Sequence, residues 1–449
     1  MENATTNLGR KSHRSYHRDL FDDLSDCQLE FIEAIFGKTS DVNIREGLSL
    51  YTRQVTRHIT TLSATPAMLL LCLLGKDVPS EEGILILSIM MVEEARKLDK
   101  NTSVQDISQA LIRARSSKET APFLKENTTT INDLVFASFG WASTLFLTDT
   151  DLSGESLRVH QEPPTTSTRS SNPTGRFSNP ARKPIGALLV EKSLLPVIPK
   201  FSTTTALDIV PESKLLVSNL NYYALSGVGK VAIVWVDSLA EHCYFNKSRR
   251  ELRLFRFPAT TLHAYGRKLN PTPLLSQIVS AEAHRLGCLA QTPEEVTKDF
   301  FREVLISYRI LFGSSKRSRK LFREKEKKRA GHDGLLDPIL VLLAGQKNPT
   351  GINDTLSQIL EQDVYHLWIN LPHLGTKLME VQDYVKEQRP RNLHAMWHDR
   401  RDTHIFHSFW VFALIGSIGI ILSFMQVVIS LAQLVYAARG SITKSLSLL

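Results

Sequence analysis

The chain has 449 residues, of which 22% are charged and 42% apolar, with a net charge of +8 and four cysteines. This is the composition of an ordinary folded protein, and the modest positive excess favours anionic surfaces such as phospholipid headgroups without indicating nucleic acid. Cys27, Cys72, Cys243 and Cys288 lie far apart with no C-x-x-C pair, which argues against a zinc ribbon or a disulfide framework and fits a reducing compartment.

Residues 1–19 read as a polar, basic tail without the apolar core of a secretory signal. Residues 20–150 read as a helical domain of about six short helices, from apolar spacings of three and four. Leu29–Phe36 and Glu46–Leu62 are amphipathic, and Ser80-Glu81-Glu82 opens a helix that continues over Ile84–Leu98. Ser103-Val104-Gln105-Asp106 has the form of a helix cap before Ile107–Arg115, and Asp133–Phe146 closes the segment. Residues 151–183 are rich in Pro, Ser, Thr and Asn and poor in large apolar residues, so they read as a disordered linker.

Residues 184–270 have strand character. Gly229–Val236 is β-branched and apolar, and Glu251–Phe257 alternates polar and apolar residues across a half-buried strand. Residues 271–395 return to helix over Glu294–Phe312, Leu335–Leu343, Ile352–Trp368 and Leu374–Lys386, interrupted by a basic stretch at 316–329. The expected fold is an α-dominated α+β cytosolic body with a small antiparallel sheet, plus one C-terminal transmembrane helix.

That helix is the strongest signal in the chain. Ile405–Ala438 contains no Lys, Arg, Asp or Glu, and residues 406–438 are assigned as the span, followed by a short tail at 439–449. Fourteen Leu, Ile, Val and Phe residues lie between Phe409 and Leu431. Together they favour insertion by about 4 to 8 kcal/mol, more than a buried Gln426 can cost. Trp397 and Trp410 at one end and Tyr436 at the other suit headgroup level, with Arg400, Arg401 and Arg439 as charged flanks. Basic residues are more numerous upstream, at Lys386, Arg389, Arg391, Arg400 and Arg401, than downstream, at Arg439 and Lys444. The positive-inside rule therefore places the body in the cytosol, in a single-pass, tail-anchored arrangement. Five Asn-x-Ser/Thr sequons, at Asn3, Asn101, Asn127, Asn246 and Asn353, would be acceptors only in a lumenal body.

Phe139-Gly140-Trp141, Leu254-Phe255-Arg256-Phe257-Pro258, Arg317-Ser318-Arg319 and Trp397-His398-Asp399-Arg400-Arg401-Asp402 occur in this order along the chain. In these phrases the sequence resembles a group of uncharacterised fungal proteins with a C-terminal membrane helix. The resemblance implies architecture and a fungal source, and it assigns no catalytic residue.

Within the span, Gly416, Gly419, Ser423, Gln426, Ser430 and Gln433 recur at alternating spacings of three and four, which places them on one stripe. Small residues let helix backbones approach, and amides bond across an interface, so the stripe points to self-association or to another membrane protein. Lys316, Arg317, Arg319, Lys320, Arg323, Lys327, Lys328 and Arg329 form a basic stretch suited to an anionic surface. The remaining motifs are incomplete. His394, His398, His404 and His407 have metal-ligand spacings, but di-iron membrane enzymes spread such boxes over several helices. Ala224–Val231 lacks the first Gly and the Ser/Thr of a phosphate loop, and His284 with Cys288 supplies only two ligands. The expected function is a membrane-anchored, non-enzymatic interaction or scaffold protein without cofactor, metal or nucleic acid. The alternative is a membrane-associated enzyme or accessory of a fungal biosynthetic pathway.

Overall fold

The computed structural model describes residues 24–60, 72–74, 80–97, 101–115, 117–148, 157, 159, 179–195, 214–266, 274–285, 293–330, 336–345, 362–388 and 403–446. The chain divides into two compact units, Met1–Glu387 and Gln388–Leu449. Helices dominate, with short strands between them. The tail at 1–19 and residues 160–178 of the expected linker lie outside the described residues. Among the described residues of the linker range, Leu157 is buried, Val159 bridges Thr148, and residues Pro180–Arg182 form a 3-10 turn.

The first unit begins with α1 (Asp26–Ile35), started by a capping box between Ser25 and Gln28. α2 (Val42–Thr60), α3 (Ser80–Lys97) and α4 (Val104–Arg115) follow. The expected cap on α4 forms: the Ser103 amide donates to Asp106 Oδ2 at 2.9 Å, and the Asp106 amide donates to Ser103 Oγ at 3.2 Å. After α5 (Ala121–Glu126), α6 (Thr128–Ser143) is buried from Ile131 to Ser143, all round rather than on one face. It ends at Thr144 in the left-handed conformation, φ 59°. α6 starts at Thr128, five residues before the boundary that its apolar residues suggest.

The middle of the chain carries α7 (Ile185–Glu191), β1 (Lys214–Leu216), α8 (Val217–Leu220), α9 (Tyr222–Ala224) and a π-helical turn at Leu225–Gly229. The decayed phosphate-loop sequence is thus a helix that leads into a strand, the reverse of the strand–loop–helix order that a phosphate loop needs. β2 (Ala232–Val236), β3 (Phe245–Asn246) and β4 (Glu251–Phe255) form a three-stranded sheet in the order β2-β4-β3. β3 and β4 supply the expected antiparallel pairing through a turn at Lys247–Arg250, with Arg250 at φ 57°. β2 adds to β4 in parallel, Ala232 opposite Glu251 and Val236 opposite Phe255, so the sheet is mixed. Leu252, Leu254, Phe255 and Phe257 are all fully buried. A strand with alternating sequence usually has one wet face, but here both faces are covered.

α10 (Pro258–Gly266), α11 (Leu274–Arg285) and α12 (Pro293–Tyr308) complete the helical packing. α12 runs on through a π-helical turn at Arg309–Gly313, matching the expected Glu294–Phe312 helix. α13 (Lys316–Leu321), a π-helical turn at Phe322–Glu326 and α14 (Lys327–Ala330) form the basic stretch. α15 (Pro338–Gly345) precedes β5 (Val364–His366), α16 (Leu367–Asn370) and α17 (Gly375–Glu387). Val364–His366 was expected within a helix over Ile352–Trp368 and is instead a strand, paired antiparallel to β1 from Lys214 opposite His366 to Leu216 opposite Val364. Residues 352–361 of that expected helix lie outside the described residues. One continuous core joins residues from α1 to α17.

The second unit is α18 (Thr403–Leu446), 44 residues long.

Candidate functional site

The chemistry of α18 follows from what surrounds it. Its segment Trp410–Tyr436, 27 residues, is long and apolar enough to cross a membrane, and none of its most apolar window is buried. At 1.5 Å per residue it extends about 40 Å, against about 30 Å of hydrocarbon. A core helix of a water-soluble protein would be covered. Here Phe412 is 74% exposed and Tyr436 77%.

The stripe residues Gly416, Gly419, Ser423, Gln426, Ser430 and Gln433 all lie on α18 and are exposed. A Cβ on Gly416 or Gly419 would meet nothing within 4 Å, so another backbone can approach there. The Ser423 hydroxyl donates to the Gly419 carbonyl and the Ser430 hydroxyl to the Gln426 carbonyl, both at 2.9 Å. These bonds satisfy the hydroxyls within the helix itself. Trp410 is half-buried at the start of the span. Arg439 lies on the helix beyond its end, whereas Trp397, Arg400 and Arg401 lie outside the described residues.

In the first unit, the basic stretch is a mounted helix. Ser315 caps α13 by accepting from the Ser318 amide. Ser318, Phe322 and Glu326, four apart, form the buried row. Phe322 packs against Phe312 with ring centroids 5.2 Å apart. The Glu326 carboxylate accepts from the Tyr222 hydroxyl at 2.5 Å, from Trp235 Nε1 at 3.2 Å and from Arg329 at 3.2 Å. Burial and this carboxylate both hold the Tyr222 phenol protonated far above its ordinary range. Arg319 donates to the Gly313 carbonyl, and Arg323 donates to the Gly345 carbonyl at 3.0 Å. Both carbonyls end helices, where cations are favoured. Arg317 lies over the Tyr223 ring. Lys316, Lys320, Lys327 and Lys328 are exposed, as are Arg317, Arg323 and Arg329.

Spacing alone does not reveal a further cluster under the sheet. His242 Nε2 lies 2.7 Å from Ser307 Oγ, the separation of a nucleophile and its base. Cys243 and Lys377 adjoin it, and His242, Cys243 and Ser307 have no exposed surface. The hydrogen bonds set the tautomer. The Phe255 amide donates to His242 Nδ1 at 3.2 Å, so the ring proton sits on Nε2 and donates to Ser307. Ser307 in turn donates to the Val304 carbonyl at 2.7 Å. A base that already carries its proton cannot accept one from the hydroxyl, and no substrate reaches it. Burial and the nearby Lys377 ammonium lower the His242 pKa to about 3, and burial raises the Cys243 thiol to about 12. The Lys377 ammonium donates to the Ala240 and His242 carbonyls at 3.2 and 3.3 Å. The cluster is therefore a structural tie between sheet, α12 and α17.

Two more buried carboxylates start helices. Asp337 Oδ2 accepts from the Ala259 amide and Oδ1 from the Ile339 amide, both at 2.8 Å, capping α10 and α15 together. Asp337-Pro338 before an apolar run is an N-terminal signal that could have been read in the sequence. Glu303 accepts from the His373 and Leu374 amides at 2.9 and 2.7 Å, at the start of α17. No local pattern announces that contact, because its partners are about 70 residues away. At the sheet edge, Asp237 pairs with Arg256 at 2.6 Å and accepts from Gln54 at 2.8 Å. Among the described residues no group of three metal-ligating side chains occurs. Comparison with protein-family models, curated proteins and solved structures gives no match to this chain.

Proposed function

We propose that this protein is a single-pass, membrane-anchored interaction protein with no catalytic role, whose body faces the cytosol and whose membrane helix pairs with a second copy. The observation that carries the reading is the exposure of Trp410–Tyr436, an apolar helix that nothing in its own unit covers. Transfer to lipid removes that cost, at about 25 cal/mol per Å² of apolar surface. The excess of Lys and Arg before the span supports the cytosolic placement. The open Gly416 and Gly419 surface, with Gln426 and Gln433 on the same stripe, supports pairing, because an amide in hydrocarbon is unfavourable without a partner. The closed hydrogen bonds of the His242–Ser307 pair support a binding role over a hydrolytic one.

Alkaline carbonate extraction of membranes tests the anchor. The full chain should stay in the pellet, and a chain ending at Glu387 should move to the supernatant. Recovery of the full chain in the supernatant overturns the reading.

A further inference from the structure

The function proposed above leaves the cationic face of 316–329 unused. Its orientation is fixed, because Ser318, Phe322 and Glu326 are buried along its inner edge and Arg319 and Arg323 bond to helix-ending carbonyls. Lys316, Lys320, Lys325, Lys327 and Lys328 are exposed on the outer side. Glu324 is the one exposed acid in this stretch, and it lies 3.7 Å from Lys320. The arrangement is therefore a rigid row of positive charge, not a flexible loop.

We propose that this face docks on the anionic phospholipid headgroups of the bilayer that holds α18; the proposal rests on the membrane-anchor reading. Three observations select this partner. Phe322 is buried and Leu321 half-buried, so the outer side presents charge without the apolar stripe of an inserting helix. Contact is then electrostatic, at headgroup depth, and sensitive to salt. No aromatic side chain of the stretch is exposed for bases to stack on, and the neighbouring Tyr223 ring lies under Arg317. Finally, an anchor on the same chain turns docking into an intramolecular event with an effective concentration on the order of millimolar. Each lysine near an anionic surface then contributes about a fivefold preference.

The test is lysine acetylation footprinting of the full chain in lipid nanodiscs, read by mass spectrometry. Discs of phosphatidylcholine alone are compared with discs containing phosphatidylserine at near-physiological salt. Labelling of Lys316, Lys320, Lys327 and Lys328 should fall about threefold or more in the anionic discs and recover in high salt. The exposed Lys38 and Lys118 should label equally in both. A variant carrying Lys316→Glu, Lys320→Glu and Lys327→Glu keeps the arginines that hold the helix in place, and should lose the protection of Lys328. Equal labelling of the wild-type chain in both discs overturns the proposal while leaving the anchor intact. Failure of the chain to enter discs overturns the anchor and the docking together. Protection by a single-stranded oligonucleotide in phosphatidylcholine discs, with none from phosphatidylserine, assigns the face to nucleic acid and overturns the lipid proposal.

Discussion

Gly47 lies where an added Cβ would come within 2.2 Å of the Ala259 Cβ and 3.0 Å of Asp337 Oδ1. α2 can approach α10 and the double cap only because this residue has no side chain. Gly47→Ala should lower stability by about 1 to 3 kcal/mol or more, seen as an earlier thermal midpoint. Gly140, in the Phe-Gly-Trp phrase, faces the Phe146 carbonyl in the same way, at 2.5 Å. Buried carboxylates give the first unit a pH dependence. Burial raises Asp133 to about 6, Asp337 to about 7 and Glu303 to about 8, even though backbone amides pull the last two back down. Each folded-state pKa exceeds its unfolded value near 4, so the folded chain holds more protons between the two values. This contribution is complete below about pH 4 and is lost as pH rises through about 6 to 8. Denaturant midpoints should therefore fall from pH 5 to pH 8, and Asp337→Asn should flatten the slope. An unchanged slope in that variant would remove Asp337 from the account.

At the scale of single elements, the basic helix depends on its inward residues more than on its charges. Phe322→Ala should cost about 3 to 5 kcal/mol through the cavity it leaves, and Tyr222→Phe about 1 to 2 kcal/mol through the lost bond to buried Glu326. Urea titration of the two variants should preserve that order. The His242–Ser307 pair makes a chemical prediction: a serine-directed fluorophosphonate should not label Ser307 in the folded chain, because Nε2 donates to the hydroxyl and the site is closed. Helices with one clear apolar face, such as α1, α2, α4 and α12, were legible because spacings of three and four mark a single buried side. Val364–His366 was not legible as a strand, since a three-residue strand shows no period and depends on pairing with Lys214–Leu216. The same holds for β2, whose apolar run suits a strand but does not name β4 as a parallel neighbour.

For the whole molecule, the predicted behaviour follows α18. Gln426→Leu together with Gly419→Leu should reduce self-association in a membrane reporter assay by about 1 to 2 kcal/mol, or roughly tenfold, and unchanged association would remove the stripe as an interface. The sequence by itself determined a helix long and apolar enough to cross a membrane, the helix-rich body and the basic stretch, because continuous apolarity, helical spacing and charge density are local properties of the chain. Tertiary structure alone decided which polar groups are closed off: Asp337 shared between two helix starts, Glu303 beneath α17, and His242 holding its proton toward Ser307. Those facts depend on partners brought together from distant parts of the chain, and burial rather than residue type sets what each group can do.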